Sequence, residues 1–319
     1  MKHVFLINRL EKLNLKKDSS LFLAAQMKKM GHQVSLWFED DFFYRNQVDQ
    51  KINVYDFEFE FLPDGFYLKK FNIQNPRLIS LASDDIVHWR LDPPFDSKYL
   101  RQLWMLKSIL AGKGRVLNSV QGILQNNEKL LAYEHSSSLP SFVGDSVSEF
   151  KKFVSSLGEE VEQLVIKPID RFQGDGVIKC SIKDGSLVNC FEKSVQENAG
   201  PIVAQAFCAA ITKGEIRTTF FAGQELGSIL KVPAQGDFLA NVARGAQFHA
   251  VELPTLVKEH CQTISRSLMK EGIYWIAFDV LDGHMSEVNI TCPGLLVETS
   301  FAHQKNLAKE IADQVSRLQ

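Results

Sequence analysis

Two apolar runs of strand length, His3–Asn8 and Gln33–Phe38, flank an amphipathic stretch at Ser19–Met30 that reads as a helix capped by Asp18 or Ser19. A further strand at Asp85–Leu91, a helix at Ser97–Ala111 and a strand at Arg115–Asn118 continue the alternation. Strands that alternate with helices build an open, largely parallel sheet, so the first third of the chain belongs to the α/β class. Leu91-Asp92-Pro93-Pro94 must be a loop, because two prolines continue neither element.

The middle of the chain changes character. Glu128–Ser136 and Ser148–Leu157 read as helices, and Leu164–Lys167 and Gly176–Cys180 as short strands around a glycine-containing loop. Ile202–Phe207, Ile216–Phe221 and Leu226–Val232 are further strands, which makes this part a separate α+β module. Pro233–His249 is polar, bears glycines and shows no periodicity of its own; a loop of that length in a compact domain is usually functional. A helix at Pro254–Glu271, a hairpin and a closing helix at Gln304–Leu318 follow. The expected division is 1–124, 125–206 and 207–319.

Bulk properties narrow the function. An apolar share of 45% and a charged share of 23% are those of a soluble globular protein. With a net charge of -2 and no run of like charges, the chain lacks the basic face of a nucleic-acid binder. Its five cysteines are scattered, odd in number and without C-x-x-C spacing, which points to reduced thiols rather than zinc. No segment approaches 18 uninterrupted apolar residues, so no membrane partner is expected and the protein is read as cytoplasmic.

The stretch richest in chemistry is Phe278–Pro293, FDVLDGHMSEVNITCP. It strings Asp279, Glu287 and Asn289 onto one β-hairpin. A three-residue loop, Leu281-Asp282-Gly283, pairs Val280 with His284 and places Asp279 on the face of Met285, Glu287 and Asn289; a two-residue loop flips Asp279 away. The hairpin alone is equally compatible with a solvated strand face. Its apolar surroundings decide, because carboxylates embedded in such a sheet need a partner. Three oxygen side chains suit a hard cation such as Mg²⁺, with Mn²⁺ as an alternative, and Mg²⁺ held this way implies substrate phosphates nearby.

Two further regions supply cations. Lys167 ends a strand and is followed by the Gly174–Gly176 loop, whose backbone N–H groups can approach phosphate oxygens. The Walker spacing is missing, and a hairpin glycine pair taken alone is more often a turn. Lys129 sits at a helix start, where a lone lysine is ordinarily a solvated helix end. Arg217 and Lys231 lie on successive strands and would face the acidic hairpin across a pocket suited to a triphosphate.

Six motifs in series, Asn14–Ser20, Arg90–Asp96, Asn127–Leu130, Lys167–Asp170, Glu215–Arg217 and Glu287–Thr291 with Pro293, resemble prokaryotic glutathione synthetase of the ATP-grasp superfamily over essentially the whole chain. The resemblance implies an ATP-grasp fold behind an N-terminal parallel-sheet (pre-ATP-grasp) domain. It implies a ligase that forms an amide through an acyl phosphate, joining γ-glutamylcysteine and glycine with ATP and Mg²⁺. Carried over, Lys129, Lys167, Gly174, Gly176, Gln205, Phe207 and Glu215 contact ATP, and Asp279, Glu287 and Asn289 hold the metal. Arg217, Lys231 and Arg244 serve catalysis, and Asp18, Ser19, Arg90, Asp92, Pro293 and Gly294 face the substrates. Pro233–His249 becomes a lid that excludes water. Members of the family often assemble as homodimers or homotetramers. Departures fall mainly on the substrate side: Leu239 and Val297 stand where the family tends to carry arginine, and Cys292-Pro293-Gly294 replaces Ser-Pro-Thr. A ligase for another acid and amine, or an ATP-binding regulator without turnover, are the alternatives.

Overall fold

A computed structural model of the protein describes residues 1–172, 174–236, 239–242 and 245–318. Its first sheet is built from β1 (Lys2–Ile7), β2 (Gln33–Phe38), β3 (Ile52–Phe61), β4 (Leu68–Ile79), β5 (Ile86–Arg90) and β6 (Arg115–Leu117), in the order β4-β3-β2-β1-β5-β6. Helices α1 (Ser19–Lys29), α2 (Ser97–Leu110) and α3 (Val120–Gln125) accompany it. Strands β2, β1, β5 and β6 are parallel, as the alternation predicts. The edge is not: β3 and β4 form a long antiparallel hairpin that the sequence reading passed over. The outer strand β4 keeps most of its residues exposed, so it lacks the hydrophobic alternation that marks a half-buried strand.

The second sheet, order β7-β10-β8-β9, is antiparallel and comprises β7 (Ser141–Gly144), β8 (Gln163–Pro168), β9 (Ile178–Ser181) and β10 (Ile202–Ala206). Helix α4 (Glu128–Tyr133) leads into it, and α5 (Val147–Ser156) and α6 (Leu187–Asn198) cover it. Their meeting point is Phe150 stacked on Phe191, with ring centroids 4.1 Å apart, in a core separate from the rest of the molecule. Helix α6 was not anticipated; its buried face includes Ser194, which blunts the apolar stripe.

The third sheet is antiparallel, order β13-β12-β11-β14-β15, formed by β11 (Glu215–Phe221), β12 (Gln224–Val232), β13 (Gln247–Val251), β14 (Trp275–Leu281) and β15 (His284–Asn289). Strand β13 takes in the last residues of the stretch expected to be irregular, because Gln247–Val251 completes the edge of β12. Helices α7 (Thr255–Met269), α8 (Leu296–Ala302) and α9 (Leu307–Val315) complete the chain.

The first and third sheets share their cores. Phe22, Leu36 and Phe57 belong to the same buried cluster as Trp275, Leu296 and Ile311. Asn118, which follows β6, fastens the two together with all its polar atoms. Its Nδ2 donates to the carbonyls of Trp275 and Ile290, both at 2.7 Å, and its Oδ1 accepts from the N–H groups of Tyr274 and Trp275.

Candidate active site

Sheet register determines which side chains meet. On β11, Glu215 and Arg217 alternate with Ile216 and so share one face. Arg217 lies opposite Asp279 of β14, and Glu215 opposite Lys231 of β12. Asp279 in turn faces Glu287 of β15, with Asn289 opposite Ala277 on the same face.

The hairpin reaches this arrangement by a different route from the one the sequence suggested. Leu281 pairs with His284, so the loop is the two residues Asp282-Gly283, both with positive φ as a type I′ turn requires. Taken alone, that turn would send Asp279 to the other face from Glu287. A β-bulge between Asp279 and Val280 leaves Ser286 unpaired and restores the common face. Ser286 is then free to donate from Oγ to Glu215 Oε1 at 2.9 Å and to the Asp279 carbonyl at 3.1 Å.

The result is a dense buried charge network. Arg217 grips Asp279 bidentately, Nε to Oδ1 at 2.8 Å and Nη2 to Oδ2 at 2.5 Å. Lys231 Nζ bridges Asp279 Oδ1 and Glu215 Oε2, both at 2.8 Å. Asn289 Nδ2 donates to Asp279 Oδ2 at 3.2 Å, and Lys129 Nζ lies 3.1 Å from Glu287 Oε1. Burial opposes ionisation of Asp279, but the charges of Arg217 and Lys231 outweigh it and hold this carboxyl well below the usual range. Burial likewise works against the charge on Lys231, yet Asp279 and Glu215 push its pKa up. Lys167 is displaced the other way, downward by burial, with Gln205 Oε1 as a neutral partner at 3.1 Å.

A cavity opens over this face. The third sheet, β8 and β10, and the loops after β1 and β5 enclose a cavity of about 610 Å³. Its walls include Lys129, Lys167, Gly174, Gln205, Phe207, Glu215, Arg217, Lys231, Asp279, Glu287 and Asn289. Gly176 is not on the wall. It serves the turn instead: its φ is +71°, and a Cβ there would meet Pro168 Cγ at 2.8 Å. The loop after β12 closes one side, since a Cβ on Gly174 would lie 2.7 Å from Leu239 Cδ1. Ala240 packs with Ile211 and Leu281 beside Phe207. Arg244, assigned to catalysis from the sequence, lies outside the described residues.

At the other end of the cavity stand Asp18, Ser19, Arg90, Asp92 and Gly294. Asp18 Oδ1 caps α1 by accepting from the N–H groups of Ser20 and Leu21, and Ser19 Oγ accepts from Leu296 N–H. Arg90 donates to Ser20 Oγ and to the Pro293 carbonyl and lies 4.0 Å over the Trp275 ring. Pro293 therefore positions Arg90 and is not itself on the wall. Val297, expected beside the substrate, is fully buried in the shared core.

The sequence reading missed two contributors. Glu128 Oε1 accepts from the N–H groups of Ile290 and Thr291 and from Thr291 Oγ1, all within 2.8 Å, so it ties α4 to the end of β15. In the sequence it looks like any acid in a first helical turn. Glu298, on α8, lies on the cavity wall only 2% exposed; its place after a loop gave no signal.

Asp279, Glu287 and Asn289 line the cavity from one face of β14 and β15 with oxygen side chains of the type that suits Mg²⁺ alongside phosphate oxygens. Both Asp279 oxygens are engaged by Arg217, Lys231 and Asn289, so a cation there would share or replace those partners. The described residues contain no group of three or more His, Cys, Asp or Glu that could hold a metal ion.

The cleft between two antiparallel sheets is that of the ATP-grasp fold, and family and relatives make the chain an ATP-dependent carbon–nitrogen ligase. Residues 1–123 match the prokaryotic glutathione synthetase N-terminal domain and residues 128–304 its ATP-grasp domain, so the chain belongs to the prokaryotic glutathione synthetase family. It is 28% identical over 319 residues to a glutathione synthetase of Parasynechococcus marenigrum, covering 100% of both chains. It is 27% identical to one of Synechocystis, covering 92% of each. Among solved structures, D-cycloserine synthetase DcsG superposes with a TM-score of 0.68 at 13% identity, over 98% of this chain and 99% of that one. Macrocyclase MdnC from Microcystis aeruginosa, bound with precursor peptide MdnA, gives 0.61 at 16% identity, over 99% of each. At such identities these structures share the fold.

Proposed function

We propose that the chain joins γ-glutamylcysteine to glycine, forming glutathione with release of ADP and phosphate. The observation that carries this reading is the single wall on which Arg217, Lys231 and Lys129 face Asp279, Glu287 and Asn289, inside a cavity that continues to Arg90 and Asp92. A carboxylate is a poor acylating agent until its oxygen becomes part of a good leaving group, and moving a phosphoryl group onto it needs charge neutralisation along the path.

In this reading Lys129 and Lys167 bind ATP phosphates, with the backbone around Gly174 above them. Phe207 supplies an apolar wall to the base beside Gln205, and Glu215 lies near the ribose. Arg217 neutralises charge on the transferring phosphoryl group and then on the acyl phosphate, with Lys231 holding Asp279 in place. Asp279, Glu287 and Asn289 would hold Mg²⁺, which when bound supplies positive charge to the phosphate oxygens. Leu239 and Ala240 exclude water from the acyl phosphate, whose hydrolysis is the competing reaction. Asp18, Ser19, Arg90, Asp92 and Gly294 bind the peptide. The similarity to glutathione synthetases along the length of the chain, at 27–28% identity, favours this acid and amine over others.

The test is ADP release with ATP, Mg²⁺ and γ-glutamylcysteine, with and without glycine, while peptide mass is followed. Glycine-dependent release with glutathione formed is the expected result. Nucleotide binding without turnover on this pair would overturn the substrate assignment.

A further inference from the structure

The substrate end of the cavity holds more acid than base. Asp18, Asp92 and Glu298 all face it. The cations facing these three carboxylates do not match them oxygen for oxygen. Arg90 donates to Ser20 Oγ and the Pro293 carbonyl and lends its charge to Asp18 and Asp92, Lys17 Nζ lies 3.9 Å from Glu298 Oε1, and Arg217, which also acts on Glu298, is gripped by Asp279. Lys12, also on this wall, is taken by Glu39 at 2.5 Å. The second oxygen of Glu298, Oε2, is buried and has no hydrogen-bond partner.

A buried carboxylate oxygen without a donor costs about 1–3 kcal/mol or more, so its retention on a ligand wall implies that a ligand donor completes it. The geometry points to an ammonium group: we infer that Glu298, with Asp18 and Asp92, forms a pocket for a substrate amine that stays protonated and does not react. The amine that attacks an acyl phosphate must lose its proton, and a carboxylate pocket holds that proton on. The pocket therefore selects an acyl donor carrying a free α-ammonium remote from its reacting carboxylate. This deepens the proposed function, on which it rests for the identity of the donor. Burial raises the pKa of all three carboxyls, Asp18 to about 6, the direction expected of acids waiting for a cation. A site built to pair a charged group of its substrate rejects the analogue that lacks it, and a difference of about tenfold or more is expected here.

The experiment titrates γ-glutamylcysteine and glutarylcysteine, the same chain lacking the ammonium, into the protein with ADP and Mg²⁺, and measures ADP release in parallel. The wild type is expected to bind the ammonium peptide at least about tenfold more tightly. Glu298→Gln should narrow the ratio to about threefold or less with little change for glutarylcysteine, and Asp92→Asn should narrow it independently. Equal affinities in the wild type, no binding of either peptide, or a ratio untouched by both substitutions overturns the pocket. A retained preference without turnover supports the pocket and sinks the ligase reading for this peptide; turnover with equal affinities does the reverse.

Discussion

Arg217 and Asp279 show how a buried cation on a cavity wall is held in place. A buried guanidinium without a partner is costly, and the bidentate grip of Asp279 answers that cost while fixing the plane of the fork. Lys129 and Glu287 repeat the arrangement. In the proposed function, nucleotide and metal exchange partners within a charge-balanced network, so each residue acts most where charge moves. Arg217→Ala should lower kcat about 10²- to 10³-fold with a much smaller change in ATP affinity, as expected for a group working mainly in the transition state. Equal losses in both, read from initial rates and nucleotide titration, would make Arg217 a ground-state binder only. Glu287→Gln keeps the shape and removes one negative charge from the metal face and from Lys129. It should abolish turnover and weaken the Mg²⁺ dependence while the unfolding midpoint stays within a few degrees. Wild-type rates in that variant would sink the metal assignment.

At the scale of elements, the β14–β15 hairpin explains what the sequence could and could not disclose. That Asp279, Glu287 and Asn289 share a face was legible, although Met285, expected on that face too, pairs with Val280 and is buried in the core instead. The path to it was not: Asp282-Gly283 forms a two-residue turn, and only the bulge at Ser286 cancels the resulting flip. A bulge is decided by partners on other strands, here Glu215, which no local pattern encodes. The same holds for Glu128, whose hydrogen-bond donors lie more than 160 residues away, and for Val297, whose burial depends on packing between the first and third sheets. The parallel centre of the first sheet was legible from strand and helix alternation, whereas the exposed edge strand β4 was not. The loop after β12 carries a prediction of its own. Leu239 reaches over Gly174, and the neighbouring Ala240 packs with Ile211 and Leu281. Leu239→Ser should admit water and raise the ratio of ADP released to amide formed several-fold with ATP binding nearly unchanged. An unaltered ratio, from parallel ADP and product assays, would deny this loop a water-excluding role.

Across the whole molecule, the first and third sheets behave as one packed body, with Asn118 joining them and Glu128 bracing the second sheet's entry helix. Acid stability therefore reports on the first sheet's interior. His3 and His88, on adjacent strands β1 and β5, are both buried, and His3 Nδ1 lies 3.1 Å from His88 Nε2, so one proton is shared between two neutral rings. Burial, reinforced by neighbouring positive charge, lowers the His3 pKa from 6.5 to about 4, and burial lowers that of His88 as well. The sign follows from linkage: between these values the unfolded chain binds the extra proton and the folded one does not. The histidines' full contribution is present above pH 6.5 and is lost as pH falls toward 4. For His3 alone the loss between pH 7 and pH 5 is about 2 kcal/mol, and His88 adds to it in the same direction. Urea unfolding at the two pH values should show that drop. A double His3→Phe, His88→Phe variant, which replaces the shared proton with apolar contact, should show a flatter profile. Identical slopes in variant and wild type would place the acid sensitivity elsewhere, in the carboxylates of the active-site wall.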